Sequence, residues 1–250
     1  MRITTTRGVR GELETFAYSL VHAQDMDVPP DLLLAWEALR AAYPSLPLDE
    51  FLPGGLKYRF RRWGKAFYLP STGEIVPLPP ADYFQSADIN AVTGGFVRRF
   101  APLLPEMFDN PFVQALIRFN MDQFPIRLDQ RSLPWQVDIH LIRVVADATG
   151  EGHPTPEGIH KDGAEFVTVH LVELDNAVGG DVTLYDNAKQ PLLTFRLENL
   201  LDSYLFEDPR VWHAASAIKP VDPTRPAVRC ILTFDYHFAP DLERPRKKQD

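Results

Sequence analysis

Beyond residue 166 the chain reads as a series of short β-strands parted by turn signals, and this pattern limits its fold more than any other feature. The stretch Phe166-Val167-Thr168-Val169-His170-Leu171-Val172 is rich in β-branched residues and reads as a strand. Gly179-Gly180 marks a tight turn, residues 181–185 alternate as a second strand, and Asp186-Asn187 closes it. Further strands fall at 192–197, 203–206 and 228–236, and two more upstream at 57–69 and 136–146. Many short strands at near-regular spacing point to an all-β sandwich or barrel, because each strand must bury one face against another sheet.

The N-terminal half carries helical periodicity instead. Leu13, Phe16, Ala17, Leu20 and Val21 recur at helical spacing. Pro29-Pro30-Asp31 offers a cap for a helix over 32–42, with Leu32, Leu33, Trp36 and Leu39 on one face. Asn110-Pro111 is a cap followed by proline at the first helical position, opening a helix with Phe112, Val113, Leu116, Ile117 and Phe124 on its apolar side. Such helices would brace the outer face of one sheet. The expected fold is mainly β with flanking α-helices, a double-stranded β-helix (jelly roll, cupin-like). It is expected as a single domain over 1–250: a helical part to about residue 55, a core over 56–238 and a tail over 239–250.

Chemistry concentrates at Ile159-His160-Lys161-Asp162-Gly163 and at Trp212-His213-Ala214. A His-x-Asp tripeptide is common by chance. Its weight comes from position, since His160 and Asp162 lie just before one strand and His213 near another. A jelly roll gathers such strand ends at one mouth. Two imidazoles and one carboxylate can take one face of Fe(II) and leave the other open for a co-substrate and O2. Arg229 lies in the last strand, where it shares a face with Ile231 and Thr233. If that face is inward, the guanidinium needs an anion. The far carboxylate of 2-oxoglutarate would supply one in bidentate geometry, and a neighbouring Asp or Glu is the alternative. Arg225 competes for that role, but Pro223 and Pro226 place it in a turn.

The formal net charge of -8 and pI of about 5.4 disfavour nucleic acid or an anionic membrane as partner. The basic run Arg59-Phe60-Arg61-Arg62 reads as a solvated strand edge, and 244–248 as a frayed basic tail. Cys230 is the single cysteine, so no disulfide forms within the chain, and it reads as inert core packing. No apolar signal core follows Met1 and no run is long enough to span a bilayer, so the expected location is cytoplasmic.

Several further blocks occur in a telling order: Asp82-Tyr83-Phe84-Gln85-Ser86, Gly94-Gly95-x-Val97-Arg98-x-Phe100, Asn110-Pro111 with Arg118-Phe119, and His140-x-x-Arg143. They continue with the His-Lys-Asp motif, Asn176-Ala177-x-Gly179-Gly180-Asp181, His213-Ala214 and Thr233-Phe234-x-Tyr236. Over about 57–236 the chain resembles the Fe(II)/2-oxoglutarate dioxygenases that hydroxylate free L-amino acids, the group that contains L-isoleucine 4-hydroxylase. The resemblance implies that His160, Asp162 and His213 hold Fe(II). It also implies that 2-oxoglutarate chelates the metal with Arg229 on its far carboxylate, and that O2 completes the set. The reaction implied is oxidation of an unactivated C–H bond of a small aliphatic L-amino acid, giving an alcohol, or an alkene or ring by the same chemistry. Arg98 matches a shared arginine and is the candidate for the substrate carboxylate. Tyr83 and Gln85 are candidates for a lid. His140 falls on the inferred inward face with Ile142 and Val144, as a contact for 2-oxoglutarate or substrate or as a hydrogen-bonded structural histidine. His170 is expected to be structural. The chain departs from the family at Val144, where a tyrosine that helps hold 2-oxoglutarate is usual. A protein or peptide hydroxylase and a non-redox cupin-like isomerase or binding protein stay open as other uses of the same barrel.

Overall fold

A computed structural model of the chain describes residues 2–86 and 94–241. Its largest element is a seven-stranded antiparallel sheet in the order Tyr18–Val21, Ser203–Glu207, Phe166–Asp175, Ala227–Phe238, Trp135–Ala146, Arg59–Leu69, Glu74–Pro77. A three-stranded sheet, Pro191–Phe195, Val182–Tyr185, Trp212–Ala215, faces it. A short ladder pairs Ala177–Gly179 with Ile218–Pro220. Val167, Val169 and Leu171 of the large sheet pack with Val182 and Leu184 of the small one and with Val211 just before its last strand, which makes the double-stranded β-helix a closed sandwich.

Alternation sorts the two faces of the large sheet. Along Ala227–Phe238, Val228, Cys230, Leu232, Phe234 and Tyr236 face the helices, while Arg229, Ile231, Thr233 and Asp235 face the small sheet and its mouth. The register sets Arg229 opposite Val144, Thr233 opposite His140 and Asp235 opposite Asp138, so polar side chains of two strands line up on the inner face. The outer face is covered by Pro111–Gln123 and Pro30–Arg40. The Asn110 side chain accepts from the Phe112 and Val113 amides at 2.9 and 3.3 Å, and Pro111 follows at the first turn. Phe112, Val113, Leu116 and Ile117 are buried as the spacing requires, each contributing roughly 1.5–3 kcal/mol of burial. Phe124, just past the helix, stacks on Phe166 at 4.3 Å between ring centroids.

Three expectations are corrected. The helix over 13–21 ends early: it spans Val9–Phe16, and Ala17 takes a left-handed φ of 69° with its N–H on Leu13 O. Leu20 and Val21 belong to a strand that pairs with Ser203–Phe206, so sheet pairing at the edge overrides helical periodicity. Leu33 is exposed rather than on the buried stripe of Leu32, Trp36 and Leu39. Arg59-Phe60-Arg61-Arg62 is not a solvated edge. Arg59 and Arg61 are 4% and 7% exposed, and Asp49 from the preceding segment meets both, at 2.8 and 3.9 Å. Arg62 points the other way and donates to Pro102 O at 2.8 Å. The run 244–248 lies outside the described residues. Among the described residues no helix is long and apolar enough to cross a membrane.

Cys230 is buried, and burial followed by nearby Glu173 pushes its thiol up, out of the reactive range. His170 is structural as expected. Its Nδ1 meets Ser203 Oγ at 2.7 Å, and its Nε2 meets Thr168 Oγ1 and Asn120 Nδ2, both at 3.2 Å. Burial holds its imidazole down to about 3. The unfolded chain therefore binds a proton at this site between about pH 6.5 and 3 that the folded chain refuses, so stability falls as pH drops through that window. The slope expected from His170 is up to about 1.4 kcal/mol per pH unit. Urea titrations from pH 7 to 4 should show it, and His170→Asn should flatten it; an equally steep variant would exclude His170 as the source.

Candidate metal and co-substrate site

His160 and His213 are brought together by their own backbones. Each N–H donates to the other's carbonyl at 3.0 Å, a bridge that sets the imidazole centroids 4.1 Å apart. Asp162 Oδ1 lies 3.6 Å from His160 Nε2, and Oδ2 lies 3.6 Å from His213 Nε2. One ligand atom from each of the three residues lies within 4.8 Å of the others. The His160 Nδ1 proton is directed to Gly158 O at 3.0 Å, which makes Nε2 the nitrogen turned toward the cluster and available to a metal once its proton leaves. Lys161 turns away, with Nζ on Asn187 Oδ1 and Pro209 O at 2.9 and 2.6 Å. Residues 160 and 162 thus share a side. Asp208 holds the loop from below: its carboxylate accepts from the amides of Asp162, Gly163 and Ala164 at 2.9, 2.8 and 3.2 Å.

The electrostatics bind the three groups into one unit. Burial opposes the charge on Asp162, but His213 and His160 outweigh it and hold the carboxyl well below its usual range. Burial also opposes a charged His160, yet its bond to Asp162 and the charges of Glu157 and Asp162 push it up to about 9. His213 is held down to about 3 by burial and by His160. Two buried nitrogens and one half-buried carboxylate oxygen, the only members of the cluster among the described residues, fit a divalent iron with open positions.

The cavity beside this cluster is bounded by both sheets. Val167, Val169 and Ile231 form an apolar wall. Arg229 enters the cavity from the last strand, 3% exposed, and among the described residues no carboxylate lies within salt-bridge distance of it. Burial lowers its affinity for a proton, but a guanidinium keeps its charge. Gly180 makes room for it: a Cβ there would come within 3.2 Å of Arg229 Cδ, and its φ is +74°. Arg225 sits in the turn as expected, exposed beside Asp175 and Asp222 at 3.6 and 3.8 Å. A buried, unpaired guanidinium facing a cavity fits the far carboxylate of 2-oxoglutarate.

The other expected residues line the same cavity. Arg98 is buried, donates to Gln85 Oε1 at 2.7 Å and lies 4.7 Å over the Tyr83 ring. Gln85 Nε2 reaches Asp162 O at 3.1 Å, tying this part of the lining to the metal loop. Tyr83 is buried against Trp63, Phe100 and His140. His140 borders the cavity with both nitrogens engaged. Arg61 can only donate, so Nδ1 accepts from it and Nε2–H donates to Asp235 Oδ2 at 3.1 Å. Burial and Arg61 keep that ring neutral.

Sequence reasoning did not single out Arg61, Asp235, Asp208, Glu157 or Tyr204, all close to this chemistry. For the first two a signal exists. Arg59-x-Arg61, Asp138-x-His140 and Thr233-x-Asp235 put polar residues two apart inside otherwise apolar strands, which marks one polar inner face. Asp208 and Glu157 carry no local mark.

Comparison with known proteins agrees with this geometry. The chain is 30% identical over 159 residues to L-isoleucine-4-hydroxylase of Bacillus thuringiensis, an alignment that covers 62% of this chain and 65% of that protein, just under two thirds. It is 26% identical over 224 residues to 3(1)-hydroxy-L-isoleucine 4-dioxygenase of Pantoea ananatis (strain AJ13355), covering 88% of this chain and 87% of that one. The solved structure of a bsmA homolog from Methylobium petroleophilum PM1 superposes with a TM-score of 0.80 at 28% identity, over 92% of this chain and 91% of that one. Residues 40–235, which include every ligand-type residue of the cluster and Arg229, match the family described as 2OG-Fe dioxygenase, and the chain belongs to that family.

Proposed function

We propose that this chain is an Fe(II)/2-oxoglutarate-dependent dioxygenase that hydroxylates an unactivated C–H bond of a small, free, aliphatic L-amino acid. The observation that carries the reading is that Arg229 and Arg98 both line the cavity that holds the His-Asp-His cluster. Among the described residues Arg229 has no carboxylate within salt-bridge distance, and Arg98 brings a second guanidinium to the same cavity. Two carboxylate-bearing molecules, co-substrate and substrate, suit that arrangement. The two curated relatives bear names that describe isoleucine-type amino acids as substrates, which favours a free amino acid here.

In this reading His160, Asp162 and His213 hold the metal. Iron with 2-oxoglutarate and O2 supplies the oxidising power for C–H cleavage, with 2-oxoglutarate leaving as succinate and CO2. Arg229 pairs with the far carboxylate of 2-oxoglutarate, and Tyr204, buried in the lining of the same cavity, lies near enough to Arg229 to influence its charge. Arg98 takes the substrate carboxylate, fixed by Gln85 and the Tyr83 ring. The Arg61–His140–Asp235 chain stiffens the wall beneath both, which is the part assigned to His140. Val167, Val169 and Ile231 keep water from the reacting carbon.

The test is a mass-spectrometric screen of free amino acids and peptides with Fe(II), 2-oxoglutarate and O2. The expected product is a small aliphatic amino acid carrying one added oxygen, with succinate in equal amount. Its methyl ester should turn over poorly, and Arg98→Ala should raise the KM for the amino acid while leaving that for 2-oxoglutarate near its original value. Turnover confined to peptides would replace this reading with a protein hydroxylase.

A further inference from the structure

Glu157 is a cavity carboxylate to which the chemistry above gives no task. Its position is rigid. Thr155 Oγ1 donates to Ala215 O at 3.1 Å and accepts from Ala215 N at 2.9 Å, which staples the turn to the strand bearing His213. Gly158 N closes the turn on Thr155 O at 3.0 Å, and Gly158 itself adopts a φ of 75°. The Glu157 side chain is 12% exposed. Its Oε1 lies 3.5 Å from His160 Nε2, the atom a metal would take. Its Oε2 is buried and has no hydrogen-bond partner among the described residues, and no lysine or arginine among them comes within salt-bridge distance of it. A buried carboxylate oxygen left in that state is costly unless a cation arrives to meet it.

The other carboxylates of the region are already engaged. Asp235 accepts from His140, Asp138 from Trp63 Nε1 and Gln136, and Asp49 from Arg59. Glu157 is also near enough to Arg98 for its negative charge to favour the charged guanidinium. A cation and an anion therefore line the same cavity as the His-Asp-His cluster.

We propose that Glu157 binds the α-ammonium group of the substrate, so that Arg98 and Glu157 together hold a zwitterion with its side chain directed at the metal. This rests on the amino-acid reading given above. Its chemical consequence is selectivity for α-amino acids over the corresponding deaminated carboxylic acids, which could meet Arg98 but would bring no cation to Glu157.

The experiment measures binding by calorimetry to the Fe(II)- and 2-oxoglutarate-loaded protein without O2. The probes are L-isoleucine and 3-methylpentanoic acid, its deaminated form, or the same pair for whichever amino acid the screen selects. Wild type should prefer the amino acid. Glu157→Gln, which keeps the side-chain size, should weaken amino-acid binding roughly ten- to hundredfold, as expected for losing a charge-assisted contact. Affinity for the deaminated acid should stay within about threefold or improve, and iron content, 2-oxoglutarate affinity and Tm should hold. Unchanged amino-acid binding, or equal weakening of both probes, would overturn the proposal. Loss of iron in Glu157→Gln would overturn it in favour of a metal-ligand role. If wild type binds and oxidises no free amino acid, the broader reading fails and takes this one with it; normal wild-type binding with an indifferent variant sinks this one alone.

Discussion

Asp162→Ala is expected to abolish iron retention and all 2-oxoglutarate turnover. The carboxylate stands between the two imidazoles, with one oxygen 3.6 Å from each Nε2, and it completes the donor set with the cluster's one anion. Without it, two histidines offer only neutral donors to a dication. Outer groups that merely orient a metal ligand are worth roughly 10–100-fold in affinity or activity, so loss of a ligand should exceed about hundredfold. The loop itself should persist, because Asp208 grips the backbone amides of residues 162 to 164 rather than the Asp162 side chain. Metal analysis, succinate formation and thermal melting would be read together. A variant with stoichiometric iron and near-normal succinate release would refute the assignment of the triad.

Arg229→Ala should raise the KM for 2-oxoglutarate steeply while leaving iron content nearly unchanged. The far carboxylate would then be buried in a cavity with no guanidinium opposite, and truncating one side of such a pair costs about 2–5 kcal/mol, or roughly 30- to several-thousandfold. Arg225→Ala serves as the control. That residue is exposed in the turn after Asp222, paired with Asp175 and Asp222, and its loss should leave 2-oxoglutarate kinetics as they were. Equal kinetics for Arg229→Ala and wild type, with damage in Arg225→Ala, would show that the wrong arginine has been assigned.

The strands and the His160-x-Asp162 half of the cluster were legible in the chain because both are written locally. The β-branched run at 166–172 appears as Phe166–Asp175, and the Asn110-Pro111 cap appears where its side-chain chemistry demands. The misjudged segments share a cause. Leu20 and Val21 fit a helical stripe, but an edge position beside Ser203–Glu207 was open to them, and pairing there outweighs propensity. The arginines at 59 and 61 carry charge suited to solvent, yet Asp49 meets both inside the sheet.

Side-chain alternation along 227–238 was determined by the sequence alone, since period two is a property of the extended backbone. That is why Arg229 could be grouped with Ile231 and Thr233 on one face before its surroundings were known. The order of strands across the sheet, and so which polar faces meet, was decided only by the tertiary structure. It set His140 against Asp235, 95 residues away, and Arg61 against His140, 79 residues away. It placed Asp208 under a loop 46 residues earlier, and it left Glu157 beside His160 with one oxygen unmatched. These pairings depend on which strands become neighbours, and chain connectivity carries no local record of that. A buried charge finds its partner through packing, and packing is a property of the assembled fold.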